Sequence, residues 1–207
     1  MIRKAIFIIL AVMLFITSGC TGANNKGDTN NKGDKDIIEV TETPGQDAEI
    51  SQNGETVPSL GGISLGDSSE KVIEVLGDKY SETAEPDILG AFNEDIVIWN
   101  YNNAINVSIG KRSGKVLRVV SNSPDYKTDL GIKVGDDADT VFETYRSELK
   151  EAVSRHNDET LEGWFLTEDE IVVIFDFDKS DDALVNSDIT PDTRVEEIIL
   201  SKWKYYN

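Results

Sequence analysis

Few side chains in this 207-residue sequence have the types and spacing that enzyme chemistry requires. His156 is the single histidine and lies in a polar, turn-like stretch with Arg155 and Asn157. A catalytic serine or cysteine needs a nearby base and a shaped turn around the nucleophile, and the sequence contains no recognisable turn of that kind. We therefore expect His156 to lie on the surface and the protein not to be an enzyme.

The segment 176–182 resembles the start of a calcium-binding loop, because the side chains at its positions 1, 3 and 5, which are Asp176, Asp178 and Ser180, all carry oxygen atoms. The rest of the loop departs from the calcium pattern. Asp181 occupies the place of the required glycine, and Ser187 occupies the place of the bidentate glutamate. We therefore predict no metal and no cofactor, with a cation or small ligand bound by this acidic stretch as the alternative.

Residues 178–194 form the candidate interaction loop. They separate two predicted strands of the C-terminal half, whereas the matching strands of the N-terminal half have a tight connection. Long loops on a rigid scaffold often carry function. The candidate partner-facing side chains of this loop are Asp178, Asp181, Asp182, Asp188 and Asp192.

The charge of the chain restricts its partners. Thirty-nine acidic and 20 basic residues give a formal net charge of -19. A field of this sign repels nucleic-acid phosphates and anionic lipid headgroups, so we expect no nucleic-acid partner. The single cysteine, Cys20, excludes both an intramolecular disulfide and a zinc site built from several cysteines.

The N-terminus has the order of a secretory signal. Arg3 and Lys4 precede an unbroken apolar run at residues 5–16, and three small or polar residues then lead to Cys20. The apolar run is too short to cross a bilayer, which needs about 20 apolar residues. We therefore predict a signal peptide over residues 1–19.

The Gly19-Cys20 pair resembles the end of the lipobox in bacterial lipoprotein signals, although Thr17 stands where leucine, valine or isoleucine is most usual. The resemblance implies that the Cys20 sulfur receives a diacylglycerol and becomes the first residue of the mature chain. A lipid on Cys20 would hold the protein at the outer face of the cytoplasmic membrane, since several acyl chains anchor durably. A chance thiol, either after an ordinary signal peptide or in an uncleaved anchor, is the alternative.

Residues 20–58 are predicted to form a disordered polar tether. Asn-Asn-Lys-Gly-Asp occurs at 24–28 and again at 30–34, and the segment contains no aromatic residue. Such a composition cannot bury enough apolar surface to offset the entropy lost on ordering. As a flexible chain, the tether would reach on the order of 35 Å from the membrane.

An internal repeat organises the rest of the chain. Residues 62–76 align without gaps to residues 131–145, and six of the fifteen positions are identical. In each copy a glycine and an aspartate, Gly66-Asp67 and Gly135-Asp136, precede a predicted short helix whose first amides the aspartate can cap. The repeat predicts one module over residues 59–128 and a second over residues 129–207.

The hydrophobic pattern predicts an α+β fold with two tandem copies of a helix plus a three- to four-stranded antiparallel meander sheet. A unit of about 70 residues is marginal alone, so we expect the copies to pack or to pair strands. Trp99 and Trp164 are predicted to lie in strand cores. The predicted strands are 96–101, 104–109, 116–121, 163–167, 171–177 and 195–202.

The repeated Gly-Ile-x-x-Gly-Asp motif, the capped helix and the Gly114-Lys115-Val116 strand start resemble the small modules of SmpA/OmlA lipoproteins. Tandem forms of the motif are similar to the β-lactamase inhibitor protein and to the domain N-terminal to CAP domains in Gram-positive secreted proteins. The resemblance implies a non-catalytic docking or assembly module, and we expect an envelope protein as its partner. The tandem form and the spacer rich in asparagine and lysine favour a Gram-positive cell surface as the location. An inhibitor or small-ligand-binding lipoprotein that uses residues 178–194 is the alternative.

Overall fold

The structure is a computed structural model that describes residues 57–181 and 183–206. The predicted signal peptide, Cys20 and all but the last two residues of the predicted tether lie outside the described residues. Within the described residues the strands are β1 (Ser59–Leu60), β2 (Ile63–Ser64), β3 (Ser81–Glu85), β4 (Ile96–Tyr101), β5 (Ile105–Gly110), β6 (Val116–Ser121), β7 (Lys150–Val153), β8 (Thr160–Leu166), β9 (Ile171–Asp176) and β10 (Glu197–Lys202). The helices are α1 (Ser69–Leu76) and α2 (Ala138–Glu148), and two short 3₁₀ helices span Lys179–Asp181 and Trp203–Tyr206.

Eight of the strands form one antiparallel sheet in the order β3-β4-β5-β6-β10-β9-β8-β7. The strands β6 and β10 join its two halves, and there Val119 pairs with Leu200 and Ser121 pairs with Ile198. The remaining two strands, β1 and β2, form a separate antiparallel hairpin. Leu60 and Ile63 of that hairpin are fully buried against the large sheet's core.

This architecture corrects the predicted fold class. The prediction of two tandem helix-plus-meander modules is wrong. The described residues form one sheet-dominated domain with an eight-stranded antiparallel sheet and two α-helices. The physical reason lies at the junction. Val119, Ser121, Ile198 and Leu200 are buried there, and an unpaired β6 or β10 would leave buried backbone groups without partners. Pairing of strands from the two halves satisfies those groups and merges the cores.

Both α-helices cover the same face of the sheet. Val72 of α1 and Val141 and Tyr145 of α2 pack in one hydrophobic core with side chains from strands of both halves. A smaller core, which we call core 2, lies on the opposite face. Core 2 contains Ala152, Trp164, Val172, Ile174, Ile199 and Trp203. Alternation along β9 produces this division, since Val173 and Phe175 face the helices while Val172 and Ile174 face core 2.

The helix caps lie one residue later than the sequence analysis expected. The side chain of Ser68 accepts from the Lys71 amide at α1, and that of Asp137 accepts from the Thr140 amide at α2. Asp67 and Asp136 instead accept from the amides of Ser64 and Lys133, three residues before them. These two aspartates therefore close the turns that precede the helices.

The β4–β5 hairpin turns over residues 102–104, since Tyr101 pairs with Ile105 across it. Asn102 and Asn103 both adopt positive φ angles, of 56° and 59°. Asparagine adopts this left-handed conformation more readily than most other residues. No helix of the described residues has the length and apolar character needed to cross a bilayer.

Candidate functional site

The predicted interaction loop, residues 178–194, connects the neighbouring antiparallel strands β9 and β10. Four of its predicted partner-facing carboxylates, those of Asp178, Asp181, Asp188 and Asp192, are on exposed residues. The fifth predicted residue, Asp182, lies outside the described residues. The loop therefore presents at least four acidic side chains to solvent.

Two of these carboxylates also shape the start of the loop. Asp178 Oδ1 accepts from the Ser180 amide at 3.0 Å and from the Ser180 hydroxyl at 2.6 Å, and both bonds hold the pKa of Asp178 below its usual value. Asp181 Oδ1 accepts from the Ala183 amide at 2.8 Å. These bonds engage oxygens that a bound cation would need. In the part of the chain that the structure describes, no three His, Cys, Asp or Glu side chains are grouped so as to hold a metal ion.

Asn186 attaches the middle of the loop to the sheet. Its Oδ1 accepts from the Phe177 amide at 2.9 Å, and its Nδ2 donates to the carbonyl oxygens of Glu162 at 2.8 Å and Phe175 at 2.9 Å. The side chain thereby satisfies three backbone groups where the β8–β9 ladder ends. Gly163 makes room for it, because a Cβ at this residue, with a φ of +83°, would lie 3.0 Å from Asn186 Nδ2.

Two further contacts attach the loop beside Asn186. The indole nitrogen of Trp164 donates to the Leu184 carbonyl at 2.8 Å, and Leu184 packs against core 2. Lys179 pairs with Glu197 of β10 at 3.2 Å and also donates to Asn122, just after β6. The first part of the loop is therefore attached to β8, β9 and β10, and also to Asn122 after β6.

The end of the loop caps α2. The amides of Ala138 and Asp139 in the first turn donate to the carbonyl oxygens of Thr193 at 2.9 Å and Pro191 at 3.1 Å. First-turn amides have no partner within their own helix, so the loop supplies the acceptors that α2 lacks. The described residues of loop 178–194 are thus attached to the rest of the domain near the start, in the middle and at the end of the loop.

Asp176, directly before the loop, is buried although it ends a strand. It is 4% exposed, and its Oδ1 accepts from the Asp178 amide at 2.9 Å. Burial, together with the neighbouring Glu197, Asp181 and Glu196 carboxylates, raises the pKa of Asp176 above its usual value. The alternation along β9 predicts that Asp176 points away from Phe175, but the sequence does not show that this side of the strand is also covered.

The raised pKa predicts that Asp176→Asn stabilises the domain at pH 7. The folded state favours the protonated carboxyl, so stability falls as the pH rises through the raised pKa, and the loss persists at neutral pH. Asparagine removes the charge and can still accept from the Asp178 amide. We expect a gain of about 0.5 to 1 kcal/mol at pH 7 that disappears near pH 3, measured by urea unfolding at both pH values.

Asp178→Asn is the matched control, because the pKa of Asp178 is lowered rather than raised. For this residue the ionised form is favoured in the folded state, so the substitution should reduce stability at pH 7. If the two substitutions change the free energy of unfolding equally, the buried charge of Asp176 is not destabilising. A gain for Asp176→Asn that persists at low pH would lead to the same conclusion.

The C-terminal aromatic residues dock on the sheet. The hydrophobic pattern predicted strand-core positions for Trp99 and Trp164. Trp203 is buried with its ring 6.0 Å from that of Trp164 in an edge-to-face arrangement, and the Tyr206 ring lies 5.1 Å from the same indole. Both predicted strand-core tryptophans are buried. His156 is exposed in the turn between β7 and β8, as predicted.

A second surface feature was missed by sequence reasoning. The β3–β4 loop, residues 86–95, exposes Ile88 and Leu89, which are 84% and 94% accessible. No element was predicted between Tyr80 and Ile96, because the residues that form β3 show no apolar alternation. The Pro86-Asp87 pair followed by two branched apolar residues and Gly90 is the signal that could have identified a structured turn.

Comparisons with known proteins leave the family of this chain open. No family model and no curated protein matches the sequence. An extracellular protein containing an SCP domain from Bacillus anthracis is similar in structure, with 13% identity and a TM-score of 0.44 over 81% of this chain; the match spans about half (51%) of that protein. The uncharacterized protein yfeY from Escherichia coli matches with 14% identity and a TM-score of 0.39 over 69% of this chain and 95% of its own.

Proposed function

We propose that the chain is a lipid-anchored extracytoplasmic protein whose folded part binds another envelope protein without catalysis. The observation that supports this most directly is the exposed set of carboxylates on loop 178–194, whose described residues are attached to the sheet and to α2. A surface that is already ordered loses little conformational entropy when a partner binds. The acidic surface favours a partner with lysine or arginine at the contact.

The anchor in this proposal is Cys20, and the location is the outer face of the cytoplasmic membrane at a Gram-positive cell surface. The basic start, the apolar run at 5–16 and the Gly19-Cys20 pair support the anchor. The resemblance of the repeated motif to SmpA/OmlA modules supports a role in binding or assembly. The polar segment after Cys20 would keep the domain clear of the lipid headgroups.

Cys20→Ala tests the anchor. Without a sulfur at this position no diacylglycerol can be attached, so we expect the protein to move from the membrane fraction to the soluble extracytoplasmic fraction. Fractionation of cells that express the full chain, followed by immunodetection, measures the change. Thr21→Ala is the control and should stay with the membrane. Retention of the Cys20→Ala protein in the membrane fraction would contradict lipid anchoring through this residue.

The interaction is tested by neutralising the loop without removing it. Asp181, Asp188 and Asp192 are replaced together by asparagine, which also tolerates the positive φ of 55° at position 188. Chemical crosslinking of intact cells with the unmodified chain should give a discrete adduct with one envelope protein. The triple variant should give at least about fivefold less of that adduct, because several opposite charges at the contact are lost.

The control variant removes the same number of charges elsewhere. Glu74, Glu143 and Glu168 are exposed on α1, on α2 and in the β8–β9 turn, and their replacement by glutamine leaves loop 178–194 intact. This variant should crosslink as the unmodified chain does. An equal loss in both variants would show a general charge effect, and no protein adduct in any variant would refute the proposed function.

A further inference from the structure

The β3–β4 loop, residues 86–95, holds the most exposed large apolar side chains of the described residues. Ile88 and Leu89 are adjacent at its tip, with 84% and 94% of their surfaces accessible. Single exposed apolar residues are common on protein surfaces, but two nearly fully exposed branched residues side by side leave a sizeable apolar area in water. Burying both against a partner would remove this area from water.

Hydrogen bonds hold this tip in one conformation. Asp87 Oδ2 accepts from the Phe92 amide at 3.0 Å, so the carboxylate closes the turn around Ile88 and Leu89. The Asp87 amide donates to Asp95 Oδ1 at 3.1 Å, which ties the two ends of the loop together. The Gly90 amide donates to the Asp87 carbonyl at 3.2 Å, and Gly90 has a positive φ of 71°.

The base of the loop is fixed to two other parts of the domain. The Phe92 ring packs on Tyr205 of the C-terminal 3₁₀ helix with the ring centroids 4.6 Å apart. Glu94 Oε2 accepts from the amides of Arg112 and Ser113 in the β5–β6 turn, at 2.8 and 2.9 Å. Apolar anchor residues at protein interfaces bind most tightly when their loop is already ordered, because little conformational entropy is then lost on binding. Ile88 and Leu89 lie on a loop of this kind.

The surroundings of the tip are acidic. Residues 81–95 contain five carboxylates and no lysine or arginine, and these carboxylates belong to Glu82, Glu85, Asp87, Glu94 and Asp95. The Arg112 guanidinium comes to this loop from the β5–β6 turn and donates to the Asn93 carbonyl at 3.2 Å. A partner surface of opposite sign is therefore favoured, and an anionic lipid surface is disfavoured. A second copy of a chain with a net charge of -19 is disfavoured for the same reason.

We propose that Ile88 and Leu89 insert into an apolar pocket of a protein partner whose rim carries lysine or arginine side chains. This inference rests on the proposed function, since it adds a second contact, at the β3–β4 loop, to the contact proposed at loop 178–194. Ile88 and Leu89 supply the buried centre of this second contact, and the surrounding carboxylates supply its charged border.

The test places a photo-crosslinking amino acid at Leu89 of the full, anchored chain in the cells that produce it. We expect illumination to give one discrete protein adduct, and we expect the adduct to disappear when Ile88→Asp is introduced in the same chain. The partner identified from this adduct is then purified. Its affinity should fall at least about thirtyfold for Leu89→Asp and should also weaken as salt is raised.

Val153→Asp is the matched control for affinity. Val153 is a branched apolar residue with 50% of its surface accessible. It lies in β7, at the opposite edge of the sheet from β3. Its substitution should leave the affinity within about twofold. Thermal unfolding should give the same midpoint for Leu89→Asp as for the unmodified chain, because Leu89 contributes almost nothing to the cores.

The outcomes separate this inference from the proposed function. An adduct at position 89 that persists with Ile88→Asp, or an adduct with phospholipid alone, overturns the inference. If chemical crosslinking captures an envelope partner that depends on Asp181, Asp188 and Asp192 while position 89 gives no adduct, the proposed function stands and this inference fails. If neither method captures a protein, both fail.

Discussion

Replacing Phe175 by alanine is expected to lower the free energy of unfolding by about 3 to 5 kcal/mol. Phe175 is fully buried in β9, where its ring meets Tyr145 of α2 at 4.7 Å and Phe165 of β8 at 6.0 Å. Truncation would remove these contacts and leave a cavity between the helix and the sheet. Urea unfolding monitored by circular dichroism measures the loss.

The same substitution tests whether the two halves of the sheet unfold together. In one cooperative domain, Phe175→Ala should reduce the hydrogen-exchange protection of β5 amides as much as that of β9 amides, although β5 lies three strands away. Val107→Ala, at a fully buried residue of β5, is the reciprocal control and should reduce protection in β9. Loss of protection confined to the mutated half would show that the halves unfold separately despite the pairing of β6 and β10.

Asn186→Ala is expected to have the second largest effect, a loss of about 2 to 4 kcal/mol. The substitution removes the bonds to the Phe177 amide and to the Glu162 and Phe175 carbonyl groups. It leaves these backbone groups without partners at the end of the β8–β9 ladder, and unmade hydrogen bonds of partly buried groups are costly. Loop 178–194 should also become sensitive to limited proteolysis, because its central attachment is lost.

Val185→Ala is the control for this experiment. Val185 precedes Asn186 in the same loop but is about half exposed, at 54%, so its truncation should change stability by less than about 0.5 kcal/mol. Asn186→Asp distinguishes the contribution of the accepted hydrogen bond from that of the donated ones. Aspartate can still accept from the Phe177 amide but cannot donate to the Glu162 and Phe175 carbonyl groups. If the Asn186→Ala variant is as stable and as resistant to protease as the unmodified chain, the other contacts of the loop are sufficient to hold it.

Much of the secondary structure could be predicted from the sequence, because it depends on local patterns. Strands were placed at 96–101 and 116–121 and are found there, since apolar alternation and flanking glycine or asparagine residues mark both. The other four predicted strands are present with their ends shifted by up to three residues. The strands β3 and β7 were not assigned, because β3 contains no large apolar residue and β7 has only four residues, two of which are charged.

The architecture was mispredicted because it depends on long-range pairing. Nothing in the local pattern of β6 and β10 shows that Val119 and Leu200 become neighbours, since the two residues are far apart in sequence. The candidate loop could be predicted from its length and acidity, but its attachment could not. Asn186 reads as an ordinary polar loop residue, and only Gly163 within a strand hinted at a close approach.

The two outer strands of the sheet also affect how the protein behaves at high concentration. β3 pairs only with β4, and all five of its residues are exposed, including Glu82 and Glu85. β7 pairs only with β8, and its register shifts between Glu151 and Val153. Open strands are templates for aggregation, and negative charge and bulges are common defences against it. Copies of the domain at high concentration would therefore resist pairing of their edge strands into fibrils.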